Sequence, residues 1–325
     1  MNSTQMAEMA APPVDDLMPE LERLLRNIES VVLGKPEAIR LAVVALLAEG
    51  HILIEDVPGV GKTLLARAMA ASIDCSFRRL QFTPDLLPSD ILGSSVYHAT
   101  SGEFVFKPGP IFAQVILADE INRTTPRTQS ALLEAMGDRQ VSVEGRTYPL
   151  EPPFMVLATQ NPFEFEGTYV LPESQLDRFM MRVRMGYPQR SEERHILTSH
   201  RAGEPVEALR PVLSVAEVIG LQYAVRGIRV DDAIADYLLA IVHATRESED
   251  LHVGVSTRGA LTLYRAAQGL ALLSGRDYVV PDDIKDLAVP VLAHRVIGKS
   301  FLQAGEVNAA EGIIQDLVDR VRVPT

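Results

Sequence analysis

A chain of 325 residues exceeds what one hydrophobic core usually holds, so two domains are expected. Its net charge of −12 argues against broad contact with a nucleic-acid backbone. Its single cysteine, Cys75, excludes an intrachain disulfide and points to a reducing, cytoplasmic setting.

Cys75 itself reads as a packed thiol and not as a nucleophile. The first residues carry no basic start with a long apolar run. The apolar stretch Leu41 to Ile54 is broken by Glu49, Gly50 and His51. Neither a leader nor a membrane span is therefore expected. Residues 1–16, with Pro12-Pro13, read as a loose end. Leu17 to Ile28 reads as a short helix and Val31 to Lys35 as a turn. Pro36 to Ala48 reads as a helix with Ile39, Val43, Leu46 and Leu47 on one face, ended by Gly50. Strands follow at Ile52 to Ile54, Phe77 to Phe82, Ala113 to Ala118, Phe154 to Thr159 and Met180 to Met185. Helices fall between them at Thr63 to Ser72 and Thr128 to Met136. Short apolar strands alternating with helices indicate a parallel sheet covered on both faces, here over residues 17–187.

After Tyr187-Pro188 the strands are expected to stop, leaving residues 188–325 as a helical domain. Ser214 to Glu217 is a capping-box pattern. Ile234, Tyr237, Leu238, Ile241 and Val242 follow helical spacing. Further helices are expected at Ala260 to Leu273, Pro281 to Val291 and Val307 to Val321.

Two segments carry the chemistry. The first is Asp56-Val57-Pro58-Gly59-Val60-Gly61-Lys62-Thr63. It ends as a phosphate-cradling loop should, although Asp56 stands where the usual pattern has glycine. Pro58, Gly59, Val60 and Gly61 let the backbone curl with its N–H groups inward. Lys62 is placed to reach the β- and γ-phosphates, Thr63 offers a hydroxyl to Mg²⁺, and Leu64 continues into the helix whose positive end faces the phosphates. The second segment is Val115-Ile116-Leu117-Ala118-Asp119-Glu120. Its apolar run reads as a buried strand with two carboxylates at the end where ligands bind in such sheets. Asp119 suits the metal's water shell, and Glu120 suits activation of the attacking water. The bland alternative is that both acids cap Ile121-Asn122-Arg123. Asn161, after the apolar strand Val156 to Thr159, could hold the water or the γ-phosphate, but Asn before Pro162 is also a common turn. Arg178 and Arg258 could neutralise transition-state charge, or form ordinary surface ion pairs. Together the motifs read as hydrolysis of a nucleoside triphosphate with Mg²⁺.

On these residues the chain resembles the MoxR family of AAA+ ATPases. The likeness also rests on Gln81 to Asp90, Gly109 to Phe112, Ala118 to Arg123, Thr128 to Met136, Ala158 to Pro162, Leu171 to Phe179 and the pair Gly275 to Val279 with Pro281 to Asp283. The resemblance implies a five-stranded parallel sheet between helices, a P-loop NTPase core, followed by a smaller all-α lid. It implies that Asn161 is the first sensor, Arg178 the arginine finger and Arg258 the second sensor, with Val32 and Gly34 near the adenine. It implies hairpins within Asp90 to Lys107 and Gln140 to Thr147. It further implies a homo-oligomeric ring, usually a hexamer, that remodels protein clients beside a partner carrying a von Willebrand factor A domain. A DNA-stimulated motor of the related helicase clade is the alternative.

Overall fold

The computed structural model describes residues 13–100, 102–162, 167–199, 203–299 and 307–324. Five strands build the main sheet: β1 (Ile52–Glu55), β2 (Phe77–Gln81), β3 (Val115–Asp119), β4 (Met155–Gln160) and β5 (Met181–Val183). Their order is β5-β1-β4-β3-β2, and every neighbouring pair runs parallel. Every residue of β1 and β3 is buried, because helices cover both faces and no position is left to alternate towards water. The period of two instead divides the strands between two cores. Ile52, Ile54, Val115, Leu117, Met155 and Leu157 join one cluster, while Leu53, Ile116, Ala118, Val156 and Ala158 join the other. The register sets Glu55 beside Gln160 and Gln81 beside Asp119, so the carboxyl ends of four strands finish at one level.

The chain enters through the helix Val14–Glu29, three residues ahead of the expected start, because Asp15 and Asp16 suit a first helical turn. The rest of the expected loose end, residues 1–12, lies outside the described residues. The hairpins are present. Gly93–His98 pairs antiparallel with Glu103–Pro108, and Gln140–Val143 pairs with Arg146–Pro149. The second turns at Glu144 (φ 51°) and Gly145 (φ 76°), both left-handed as a tight hairpin turn requires.

Beyond the sheet lie the helices Val215–Gly227, Asp232–Glu247, Thr257–Leu273, Pro281–Leu292 and Val307–Arg320. The capping box at Ser214 forms as its sequence specifies, with Ser214 N–H donating to Glu217 at 2.6 Å. One expectation fails here. Strands do not stop at Pro188: Leu213–Ser214 pairs parallel with Ile73–Asp74, and Leu251–Val253 pairs antiparallel with Ile297–Gly298. Runs of two or three residues carry no alternation to read. A further helix, Arg190–Ser199, also went unpredicted, since its side chains form no buried apolar stripe.

Candidate nucleotide site

The loop that follows β1 leaves the sheet at Asp56 and enters the helix Lys62–Ser72. Gly59 (φ 84°) and Gly61 (φ 98°) take left-handed conformations there that a side chain would oppose. Gly61 is the residue preceding the helix, and no side chain caps it, which leaves the first-turn N–H groups for an anion. Lys62 Nζ donates to the Asp56 carbonyl at 2.6 Å and lies 3.4 Å from that of Gln160. Burial lowers the lysine's pKa against the opposing pull of Asp56, Asp119 and Glu120.

The acidic pair is held from behind. Thr159 Oγ1 donates to Asp119 Oδ1 at 2.6 Å and accepts the N–H of Glu120 at 2.9 Å. Arg79 donates to Asp119 Oδ2 through Nη2 at 2.5 Å and Nε at 3.2 Å. Gln81 donates to Glu120 Oε2 at 2.7 Å, and Arg123 stands 3.4 Å from the same oxygen. Glu120 itself sits at φ 60° and ψ 49°, a sparsely populated region for a residue with a side chain.

Gly59, Gly61, Lys62, Asp119, Glu120 and Thr159 line one cavity of about 470 Å³. Val31, Val32, Leu33 and Lys35 form one end. Residues 58–64 form the floor, and Asp119, Glu120, Thr159 and Asn161 the far wall. Met185, Pro188, Ile196 and Glu204 close it from the segment leading into the helical domain. The apolar end suits a base and the amide-lined floor suits phosphates. Thr63 and Asp119 supply hydroxyl and carboxylate oxygens, the hard donors Mg²⁺ takes, with space for water and phosphate oxygens to complete its shell. No cluster of three or more His, Cys, Asp or Glu side chains occurs among the described residues to suit a protein-only metal cage.

Three expected site residues lie outside this cavity. Gly34 (φ 71°) is covered instead: a Cβ there would stand 2.1 Å from Glu192 Oε2, on the helix Arg190–Ser199. Arg178 donates to the Leu133 carbonyl and lies against Gly137, so its side chain runs along the helix Pro126–Asp138. Arg258 pairs with Asp177 Oδ2 at 3.8 Å and is 63% exposed at its side chain. Asp177 also accepts from buried Arg295 at 2.9 Å, and Arg295 donates to the carbonyls of Phe179 and Met180. Sequence reasoning missed Thr159, Arg79 and Gln81. Each acts across a strand pair, and only the strand order makes them neighbours of the acids. Cys75 is half-buried, and burial pushes its thiol up to about 11, as for a packed thiol.

Residues 51–181 match the family model for the ATPase family associated with various cellular activities, and residues 243–317 match the AAA lid domain. The YeaC protein of Bacillus subtilis is 49% identical over 95% of this chain and 97% of its own length. Chaperone MoxR1 of Mycobacterium tuberculosis is 40% identical over 94% of this chain and 82% of its own. The crystal structure of a candidate ATPase from Cytophaga hutchinsonii superposes with a TM-score of 0.87 at 36% identity, covering 96% of this chain and 97% of that one.

Proposed function

The chain belongs to the MoxR family of AAA+ ATPases, and from that premise we propose that it hydrolyses ATP in this cavity and spends the resulting domain motion on protein clients. The convergence of Lys62, Thr63, Asp119, Glu120 and Asn161 on one cavity supports this reading more than any other observation. Val32 and its neighbours take the adenine end. The amides of Gly59 to Thr63 and the Lys62 ammonium bind the β- and γ-phosphates. Thr63 and Asp119 would hold Mg²⁺, which would supply positive charge beside those phosphates. Glu120 accepts a proton from the attacking water, which Asn161 orients.

Arg178 and Arg258 act on a neighbour's nucleotide. Arg178 lies just ahead of β5 and Arg258 pairs with its neighbour Asp177, whereas the phosphate loop follows the carboxyl end of β1. β5 runs parallel to β1, so Met181 to Met185 alone separates the two levels by about 13 Å. A ring, with six members as its usual form, places one subunit's arginines at the next subunit's cavity through a repeated head-to-tail contact. The client role is chaperone-like, as the name of the Mycobacterium tuberculosis relative has it, and a von Willebrand factor A domain protein is the proposed partner. The proposed setting is the cytoplasm. No described helix is long and apolar enough to cross a membrane. The DNA-driven alternative gains no support, since the turn of the hairpin Gln140–Pro149 carries one acid, Glu144, against one base, Arg146.

Phosphate release from the purified chain with ATP and Mg²⁺ tests the reading. Lys62→Ala is expected to lower nucleotide affinity ~100-fold. Glu120→Gln is expected to keep binding and stop turnover. Normal turnover in Glu120→Gln would remove Glu120 from its role.

A further inference from the structure

Asp56 replaces the glycine that usually opens a phosphate loop, yet it is not among the residues with positive φ, so the position makes no demand for glycine. Its side chain is instead the most heavily bonded in the loop. Oδ1 accepts the N–H of Val57 at 2.8 Å. Oδ2 accepts the N–H of Met185 at 2.8 Å and of Gly186 at 2.6 Å. Its own backbone is engaged as well. The carbonyl accepts Lys62 Nζ at 2.6 Å, and the N–H donates to the Gln160 carbonyl at 3.3 Å.

One residue therefore touches three moving parts of the proposed cycle. Lys62 is the phosphate-binding cation. Gln160 precedes Asn161 on the cavity wall. Met185 and Gly186 begin the segment that leaves the sheet for the helical domain, and Met185 and Pro188 line the cavity. Gly186 (φ 63°) supplies the bend that turns both N–H groups onto one carboxylate oxygen. Hydrogen bonds to an ionised carboxylate are among the stronger polar contacts, so the segment is clasped to the loop.

We propose that Asp56 is a positioning residue that couples the phosphate loop to the segment carrying the helical domain. The inference rests on the cavity binding and hydrolysing ATP. When Lys62 turns from the Asp56 carbonyl to a phosphate, Asp56 loses that restraint and its shift carries Met185 and Gly186 with it. Loss of the carboxylate uncouples the two without removing any group that touches nucleotide.

The chain contains no tryptophan, and Tyr187 beside the clasp is 74% exposed, so Tyr187→Trp provides a single reporter. In that parent, a non-hydrolysable ATP analogue with Mg²⁺ is expected to shift the emission. Adding Asp56→Gly restores the usual loop pattern. It is expected to keep affinity for a fluorescent ATP analogue within ~3-fold, to lose the emission shift, and to lower kcat ~10–100-fold. Should Asp56→Gly fail to fold, Asp56→Asn carries the test. It leaves an oxygen for the segment but none for Val57, and is expected to lower kcat ~3-fold at unchanged affinity. A parent that turns over no ATP overturns the underlying reading and this inference with it. A parent that turns over, with Asp56 variants matching it in kcat and in emission shift, overturns this inference alone.

Discussion

The carboxyl edge of the sheet and its amino edge are finished in opposite ways. At the carboxyl edge, residues from three separate stretches of sequence close around an interior space: Lys62, Asp119 with Glu120, and Asn161 all line it. At the amino edge of β5, Arg258 and Arg295 both pair with Asp177, and Arg178 follows it in the chain. Arg295 is buried and fully used in holding the helical domain to the sheet. Arg178 lies along a helix and Arg258 reaches out towards solvent. One edge gathers a cavity from this chain's own residues. The other carries Arg178 and Arg258 outside that cavity, and the proposed ring joins the two.

The sharpest way to break this contrast is to remove the displayed charge. Arg178→Ala is expected to lower kcat by ~10³–10⁵-fold, the range for an arginine finger, while nucleotide binding to the isolated subunit stays intact. If Arg178 merely packs along its helix, melting temperature will fall and kcat per folded subunit will hold. Arg258→Ala is expected to act in the same direction with a smaller loss, ~10–100-fold, since it is the more exposed and the more loosely paired. Equal kinetics in the variant and the parent would return Arg258 to an ordinary surface ion pair.

Arg295 sharpens the same comparison from the structural side. Arg295→Met leaves Asp177 without its buried partner and is expected to cost about 3–5 kcal/mol in urea denaturation. Its effect on kcat should follow from lost folding alone.

Much of this was legible in the sequence because it is local. The phosphate loop carries its conformation in Gly59 and Gly61, and the apolar runs of β1, β3 and β4 announce a sheet covered on both faces. The illegible parts depend on which strands become neighbours. Gln81 restrains Glu120, and Arg79 pairs with Asp119, only because β2 lies beside β3 in matching register. Thr159 links both acids only because β4 lies on the other side. Gly34 shows the converse failure. It belongs to the expected adenine stretch, but a polar helix with no readable stripe folds over it.

The smallest expected effect concerns acid. His51 is fully enclosed, accepting the Val156 N–H at 3.0 Å on Nδ1 and standing 3.1 Å from the Met136 carbonyl through Nε2. Burial pulls it down to about 4, and burial also lowers His294 well below its usual value. An unfolded histidine titrates near ~6.5, so between these values the unfolded chain binds more protons than the folded one. The stabilisation is complete above pH ~6.5 and is lost as pH falls towards about 4, with His51 contributing about 3 kcal/mol. Urea midpoints should therefore drop between pH 6.5 and 5, and His51→Asn should flatten that slope. A midpoint independent of pH over this window would contradict the neutral, buried assignment.

The ring claim is tested most directly by mixing two inactive proteins. Glu120→Gln subunits keep Arg178, and Arg178→Ala subunits keep Glu120. If each cavity is completed by its neighbour, an equimolar mixture recovers ATP hydrolysis, up to about a quarter of the wild-type rate for random rings. A mixture no more active than the two proteins apart would show that the arginine edge does not serve the neighbouring cavity.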